Sequence, residues 1–183
     1  KDRTVEIARK YEAKDERVKV YVNEANLGDY PNRNMAASLA KGEYIKYVDS
    51  DDVMFPSCLQ KMISLMAQYP DAGYGLCSST NEQSKICTSP RETYLEFFRG
   101  VDHFGRSPGG SIIKKDAFDR VSGFSGMRQL GDFEFWLKIG SYYPMVKLPF
   151  DIYWVRSHEN QESRINSEKE KMGMRFQVLN KIF

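Results

Sequence analysis

At 183 residues, with 27 basic and 25 acidic side chains, the chain carries a formal net charge of +2. Hydrophobic residues make up 41% and aromatics 13%, too apolar for disorder and suited to one soluble globular domain. The near-neutral balance offers no basic face for nucleic acid, and no run approaches the ~18–20 uninterrupted apolar residues of a spanning helix.

Thr4 is placed to N-cap a helix running to about Ala13, with Val5, Ala8 and Tyr11 or Glu12 on successive turns. Arg17-Val18-Lys19-Val20-Tyr21-Val22 puts valines on one face at period two and predicts a strand. A polar loop from Asn23 to Tyr30 leads to Pro31 at the first turn of a helix whose inner face is Met35, Ala36, Leu39 and Ala40. Gly42 is expected to stop this helix at the C′ position. Glu43 to Val48 then reads as a second strand, ending in Asp49-Ser50-Asp51-Asp52. A third helix starts near Pro56, with Leu59, Met62, Ile63 and Met66 at helical spacing, and Ala72 to Ser79 is a further strand.

Alternation of helices and strands with short connections argues for a parallel sheet covered on both faces. Such folds open with a strand, so at least one is expected upstream of the first helix. Beyond Ser79 the pattern loosens. Ser78 to Pro90 reads as loop, Arg91 to Arg99 as helix, and Val101 to Gly110 as a Gly/Pro loop. A strand over Gly110 to Lys114, a helix over Lys115 to Val121 and a turn over Ser122 to Gly126 follow. A helix from near Asp132 carries Phe135, Trp136 and Ile139. Met145 to Arg156 is one or two strands broken at Pro149, and an amphipathic helix runs from about Glu162 with Ile165, Met172, Phe176, Leu179 and Ile182 on one face. Cys58, Cys77 and Cys87 match no zinc spacing and are expected as free thiols in a reducing compartment. The absence of any N-x-S/T acceptor accords with that.

Asp49, Asp51 and Asp52 follow directly on an apolar strand, and open α/β sheets collect ligands at the carboxyl ends of their strands. Two carboxylates ~4 Å apart repel by about 4 kcal/mol at an effective dielectric of 20, so three together call for a cation or hydrogen-bond donors. Oxygen-only ligands favour a hard ion such as Mg²⁺ or Mn²⁺. The residues alone leave open a solvated turn in which one Asp caps the next helix.

In order and spacing, Asn23-Glu24-Ala25-Asn26-Leu27-Gly28, Asn32-Arg33-Asn34, Ala40-Lys41-Gly42-Glu43-Tyr44-Ile45 and Asp49-Ser50-Asp51-Asp52 resemble family 2 glycosyltransferases of the GT-A fold. These are inverting enzymes that move a sugar from a nucleotide diphosphate. Lys1-Asp2-Arg3-Thr4 resembles the end of that family's Asp-Asp-x-Ser-x-Asp-x-Thr segment. The likeness runs from Lys1 to about Val53, then more loosely through Gly109-Gly110-Ser111 and Gly131-Asp132 to Arg156-Ser157-His158. It implies an α/β three-layer sandwich with a mostly parallel central sheet, lacking its first strand or strands. As a single domain over 1–183, it would hold a nucleotide-sugar and metal half in 1–79, an acceptor half in 80–160 and a C-terminal helix in 161–183.

The resemblance also implies roles. Asp51 of the D-x-D motif would bind Mn²⁺ or Mg²⁺ at the donor's diphosphate. Asp49 would hold the nucleotide ribose or support the metal, and Asp52 would cap the following helix. Arg33 and Asn34 match an Arg-Asn pair beside the donor, and a guanidinium there offers paired charge-assisted donors. Asp132 would be the general base on the acceptor hydroxyl, with Glu134 next in line; Phe133 or Phe135 would raise the Asp132 pKa by desolvation. His158 would sit near the diphosphate. No Gln-x-x-Arg-Trp follows Asp132, which points to single rather than processive transfer.

Tyr94, Phe97, Phe98, Phe104, Tyr142 and Tyr143 read mainly as core, with sugar stacking as the alternative. The expected partners are a nucleotide-diphosphate sugar, a glycan, lipid-linked or other hydroxyl acceptor, and a second copy or neighbouring domain against the last helix. The expected location is cytoplasmic, or the inner membrane face through the acceptor. The competing readings are a sugar nucleotidyltransferase and a fragment that only binds nucleotide or carbohydrate.

Overall fold

A computed structural model of the chain describes residues 2–78, 85–149, 153–154 and 168–182. At its centre lies β3 (Tyr74–Cys77), buried at every position. With β1 (Tyr44–Ile45), β4 (Cys87–Thr88), β5 (Ser111–Lys114) and β6 (Met145–Leu148) it forms a five-stranded sheet in the order β1-β5-β3-β6-β4. A second, two-stranded sheet joins β2 (Val53–Met54) to β7 (Tyr153–Trp154).

Among the described residues only β3 and β6 run parallel, from Tyr74 opposite Met145 to Cys77 opposite Leu148. β5 is antiparallel to β1 and β3, and β4 is antiparallel to β6. The expectation of a mostly parallel sheet is therefore corrected to a mixed one. Parallel neighbours need a crossover that carries the chain back across the sheet. Here the chain re-enters at the end where β3 leaves, Ser111 opposite Leu76, so β5 runs back along it.

The sheet is covered on both faces, as a three-layer sandwich requires. Period-two alternation sends Tyr74, Leu76, Ile113 and Met145 into one cluster and Cys77, Ile112, Val146 and Leu148 into the other. The second face is closed by α3 (Cys58–Ala67) through Cys58, Met62 and Met66. The first holds the aromatic core, in which Trp136 of α6 (Gly131–Gly140) stacks on Tyr74 at 5.9 Å and Phe135 packs on Phe124 at 4.5 Å. Truncating such a ring typically costs ~3–5 kcal/mol. Gly75 sits where a Cβ would come within 3.2 Å of Ile112 and Leu148, so the second face closes tightly over β3.

Several expectations shift. α1 (Thr4–Glu12) forms as read, but Asp2 rather than Thr4 accepts at its start, from the Thr4 amide at 3.0 Å, and no residue of the helix is buried. Segment 18–22 has no assigned secondary structure and is hydrogen-bonded into neither sheet, so the predicted strand is not formed among the described residues.

α2 (Asp29–Leu39) starts before Pro31, and its buried residues are Tyr30 and Ala37, whereas Met35 and Leu39 are exposed. Ala40 ends it in an extended conformation, and Gly42 does not take the left-handed form expected of a C′ stop. Ser57, not Asp52, occupies the N-cap of α3. α4 (Pro90–Phe98) begins on a capping box in which Ser89 and Glu92 satisfy each other's backbone amides. α5 (Lys115–Arg120) follows β5 directly. α7 (Glu168–Ile182) docks on the aromatic core through Val178, Met174 and Leu179, leaving the predicted face residues Met172 and Phe176 exposed. No helix among the described residues is long and apolar enough to cross a membrane.

Candidate active site

Beyond β1 the chain makes a tight turn closed by the Asp52 amide donating to the Asp49 carbonyl at 3.1 Å. That turn holds Asp49, Ser50 and Asp51 at the mouth of the sheet, beside the first turns of α2. Gly28, at φ 78, swings the backbone into α2, a conformation glycine adopts without penalty. Asn23 from the preceding loop donates to Asn32 at 2.7 Å. Between these elements lies an open cleft of about 320 Å³ lined by Asn32, Arg33 and Ala36 of α2 and by Tyr47, Asp49 and Ser50.

Arg33 commands this cleft. Its guanidinium donates to Asp49 at 2.7 Å and lies over the Tyr47 ring at 5.4 Å, while the Tyr47 hydroxyl donates to the Arg33 carbonyl at 3.0 Å. The Arg33 and Asp49 side chains are 21% and 30% exposed. Solvent therefore screens the pair, and an incoming diphosphate can compete for the guanidinium. Asp51 is half-buried in the same turn.

Lys46 donates to the Tyr47 carbonyl at 2.8 Å and to that of Gly109, tying the strand end to the Pro108–Gly110 turn. Burial lowers its pKa. The loop Gly109-Gly110-Ser111, distant in sequence, is thereby held next to the aspartate turn.

Asp132 stands in the first turn of α6, where its Oδ1 accepts from the Phe133 amide at 2.7 Å. The Tyr30 ring of α2 packs against the neighbouring Gly131, and the Arg33 charge favours the ionised carboxyl. Desolvation outweighs the hydrogen bonds and this charge and raises the Asp132 pKa to about 6, the direction expected from its apolar neighbours. Arg33 thus pairs with Asp49, and its charge also acts on Asp132.

Asn34 departs from the expectation of a donor contact. It is one residue round the helix from Arg33, and its amide accepts from the Phe124 N–H at 3.0 Å and donates to the Phe124 carbonyl at 2.8 Å. Both ends of the amide hold the 122–126 turn. Glu134 is buried and accepts from Ser125 Oγ and, at 3.4 Å, from Lys181, so it is anchored within the fold. His158 lies outside the described residues. Of the aromatics weighed for sugar stacking, Phe104 is core, whereas Phe98 and Tyr142 are exposed.

Two features escaped the sequence reading. Tyr30 belongs to a helical face, Tyr30-Arg33-Asn34-Ala37, whose spacing of three, four and seven residues was visible but whose polar members hid it from an apolar pattern. The second is a buried network in which His103 bonds Ser78 Oγ through Nδ1 at 3.1 Å and Glu96 through Nε2 at 2.6 Å, with Lys147 on Glu96 at 2.8 Å.

Among the described residues no group of three or more His, Cys, Asp and Glu side chains is placed to hold a metal unaided. The oxygen-only set at the cleft nevertheless fits a hard divalent ion, because Mg²⁺ commonly takes one or two carboxylates and completes its shell with water and substrate phosphate.

The chain is similar to several known proteins. An uncharacterized glycosyltransferase of Haemophilus influenzae is 30% identical over 130 residues, covering 67% of this chain and 44% of that protein. An uncharacterized glycosyltransferase of Methanocaldococcus jannaschii, MJ1057, is 26% identical over 179 residues, or 90% of this chain and 60% of that protein. The chain spans about half the length of the curated relatives it matches.

Among solved structures, S. aureus TarS 1–349 in complex with UDP-GlcNAc superposes with a TM-score of 0.71 at 19% identity, over 97% of this chain and 53% of that one. The mannosyltransferase PcManGT from Pyrobaculum calidifontis, in complex with GDP-Man and Mn²⁺, gives 0.64 at 18% identity, over 87% and 46%. These likenesses establish the GT-A fold. The sequence model described as glycosyl transferase family 2 matches residues 1–129, and the chain belongs to that family.

Proposed function

We propose that the chain carries the catalytic core of an inverting, non-processive glycosyltransferase that takes a sugar from a nucleotide-diphosphate donor to an acceptor hydroxyl. The observation that carries this reading is that Arg33 pairs with Asp49 in the cleft while its charge acts on Asp132, which supports a diphosphate-binding cation and a carboxylate base working together. Family membership and relatives in complex with UDP-GlcNAc or GDP-Man support a nucleotide-sugar donor.

Arg33 is the donor-binding cation, offering paired N–H groups to the diphosphate. Asp49 orients Arg33 and accepts from the nucleotide ribose. Asp51 holds Mn²⁺ or Mg²⁺, whose chemistry when bound is to neutralise charge on the departing diphosphate. Asp132 Oδ takes the proton from the acceptor hydroxyl as that oxygen attacks the anomeric carbon. The bond from that carbon to the diphosphate oxygen breaks, and its electron pair leaves with the nucleotide. A carboxylate with pKa near 6 is ionised at neutral pH yet basic enough to share a proton in the transition state. His158, by the family resemblance, is assigned to the diphosphate, and Asn34 serves the donor cleft by fixing the Phe124 backbone. The enzyme acts in the cytoplasm.

Calorimetric titration tests the reading. UDP or GDP should bind in the presence of Mn²⁺ and fail to bind without it. Tighter binding of UTP or GTP than of the diphosphates would favour a nucleotidyltransferase instead.

A further inference from the structure

At the mouth of the sheet β1 and β5 part. Their ladder runs from Tyr44 opposite Lys114 to Ile45 opposite Ile113 and stops there. Beyond that point β5 stays paired to β3, down to Ser111 opposite Leu76, while the chain after Ile45 goes on to the aspartate turn. The next two side chains serve different neighbours. Tyr47 reaches α2, where its hydroxyl donates to the Arg33 carbonyl at 3.0 Å. Lys46 closes the fork, its ammonium donating to the Gly109 carbonyl and, at 2.8 Å, to that of Tyr47.

The far side of the fork requires such a donor. Pro108, Gly109 and Gly110 are all buried, and a buried carbonyl without a partner costs about as much as a lost hydrogen bond. The turn is closed within itself by the Gly110 amide on the Ser107 carbonyl at 3.0 Å and by Ser111 Oγ on the Pro108 carbonyl at 2.8 Å. Neither bond engages the Gly109 carbonyl, which accepts from Lys46. Burial disfavours the Lys46 charge, and its two carbonyl acceptors offset that cost.

We propose that Lys46 is a positioning residue that couples the Asp49–Asp52 turn to the Pro108–Gly110 turn, so that loosening one loosens the other. Its consequence for sugar transfer rests on the reading of the aspartate turn as the donor's metal site. Asp49 and Asp51 are then held in register with a turn contributed by the later half of the chain.

Amide hydrogen exchange of the full chain, read by NMR, tests the coupling without any ligand. The reporter is the Asp52 amide, which donates to the Asp49 carbonyl. The perturbation is Ser111→Ala, which removes the hydroxyl bonded to the Pro108 carbonyl at the other turn. In the parent, Ser111→Ala should speed Asp52 exchange roughly two- to fivefold. In Lys46→Met, whose side chain is similar in length and has no donor, the same substitution should leave Asp52 exchange unchanged. Lys46→Arg, which keeps a charged donor, should restore the response. Should Lys46→Met not fold, Lys46→Gln takes its place, because its amide nitrogen falls one bond short of the lysine nitrogen. An Asp52 rate that responds to Ser111→Ala equally with and without Lys46, or in neither background, overturns the coupling. Mn²⁺ with UDP or GDP separates the two layers. If they leave Asp52 exchange in the parent unchanged, the donor reading falls, while the ligand-free comparison still decides the role of Lys46.

Discussion

Replacing Asp132 with Asn should stabilise the fold at neutral pH while it removes the proposed base. Burial raises the carboxyl pKa from 3.8 to about 6, so the folded state binds this proton more tightly than the unfolded chain. The sign follows directly: as pH rises from 3.8 to 6 the unfolded chain gives up the proton first, and stability falls across that window. Above 6 the full cost is present, and the gap corresponds to about 3 kcal/mol at ~1.4 kcal/mol per unit. Asn carries no charge to desolvate and can still accept from the Phe133 amide. Thermal unfolding of both proteins at pH 7.5 and at pH 3.5 reads the difference. The variant should melt about 6–12 °C higher at the upper pH, at ~2–4 °C per kcal/mol for a chain of this size, and should match the parent at the lower one. An equal stability difference at both values would refute the argument, because a pH-independent effect cannot arise from this ionisation.

Asp51→Ala should abolish Mn²⁺-dependent UDP or GDP binding in calorimetry, whereas an unaltered isotherm would remove Asp51 from the metal's shell. Arg33→Gln should weaken diphosphate binding by roughly ten- to a hundredfold, since charge-assisted hydrogen bonds contribute ~1.5–3 kcal/mol; equal affinity would show that the guanidinium serves Asp49 alone. Asn34→Ala leaves both Phe124 backbone groups without their partner and should cost about 1–3 kcal/mol in urea unfolding. His103 is held below its usual pKa, chiefly by burial, so it favours folding above pH 6.5 and that contribution is lost as pH falls through and below 6.5. His103→Gln should flatten the acid limb of the stability profile; a limb of the same slope would place its origin elsewhere.

The family and the candidate site residues could be read from contiguous motifs, while much of the packing could not. The strand-ending aspartates are recognisable from a run of residues, and the apolar stretch before them places them at the sheet's mouth. The raised Asp132 pKa was likewise anticipated from its aromatic neighbours. Sheet direction was not legible, because β1 and β4 are only two residues long each and their partners lie far along the chain. The inner face of α2 was misplaced because hydrophobicity alone selected Met35 and Leu39, which face solvent. The face that packs is built from Tyr30, whose ring lies on Phe124, and from Arg33 and Asn34, which hydrogen-bond Asp49 and the Phe124 backbone. Segment 18–22 has a strand's alternation, but a strand forms only where a neighbour completes its ladder.

The most direct test of a shared cleft is paramagnetic broadening by Mn²⁺ in the presence of UDP or GDP, read on the assigned amide resonances. Broadening should centre on Ser50 to Asp52, extend to Arg33 and to Gly131 through Phe133, and disappear in Asp51→Ala. Broadening at Ser50 to Asp52 that leaves Gly131 through Phe133 sharp would put the metal and the proposed base in different places and contradict the mechanism.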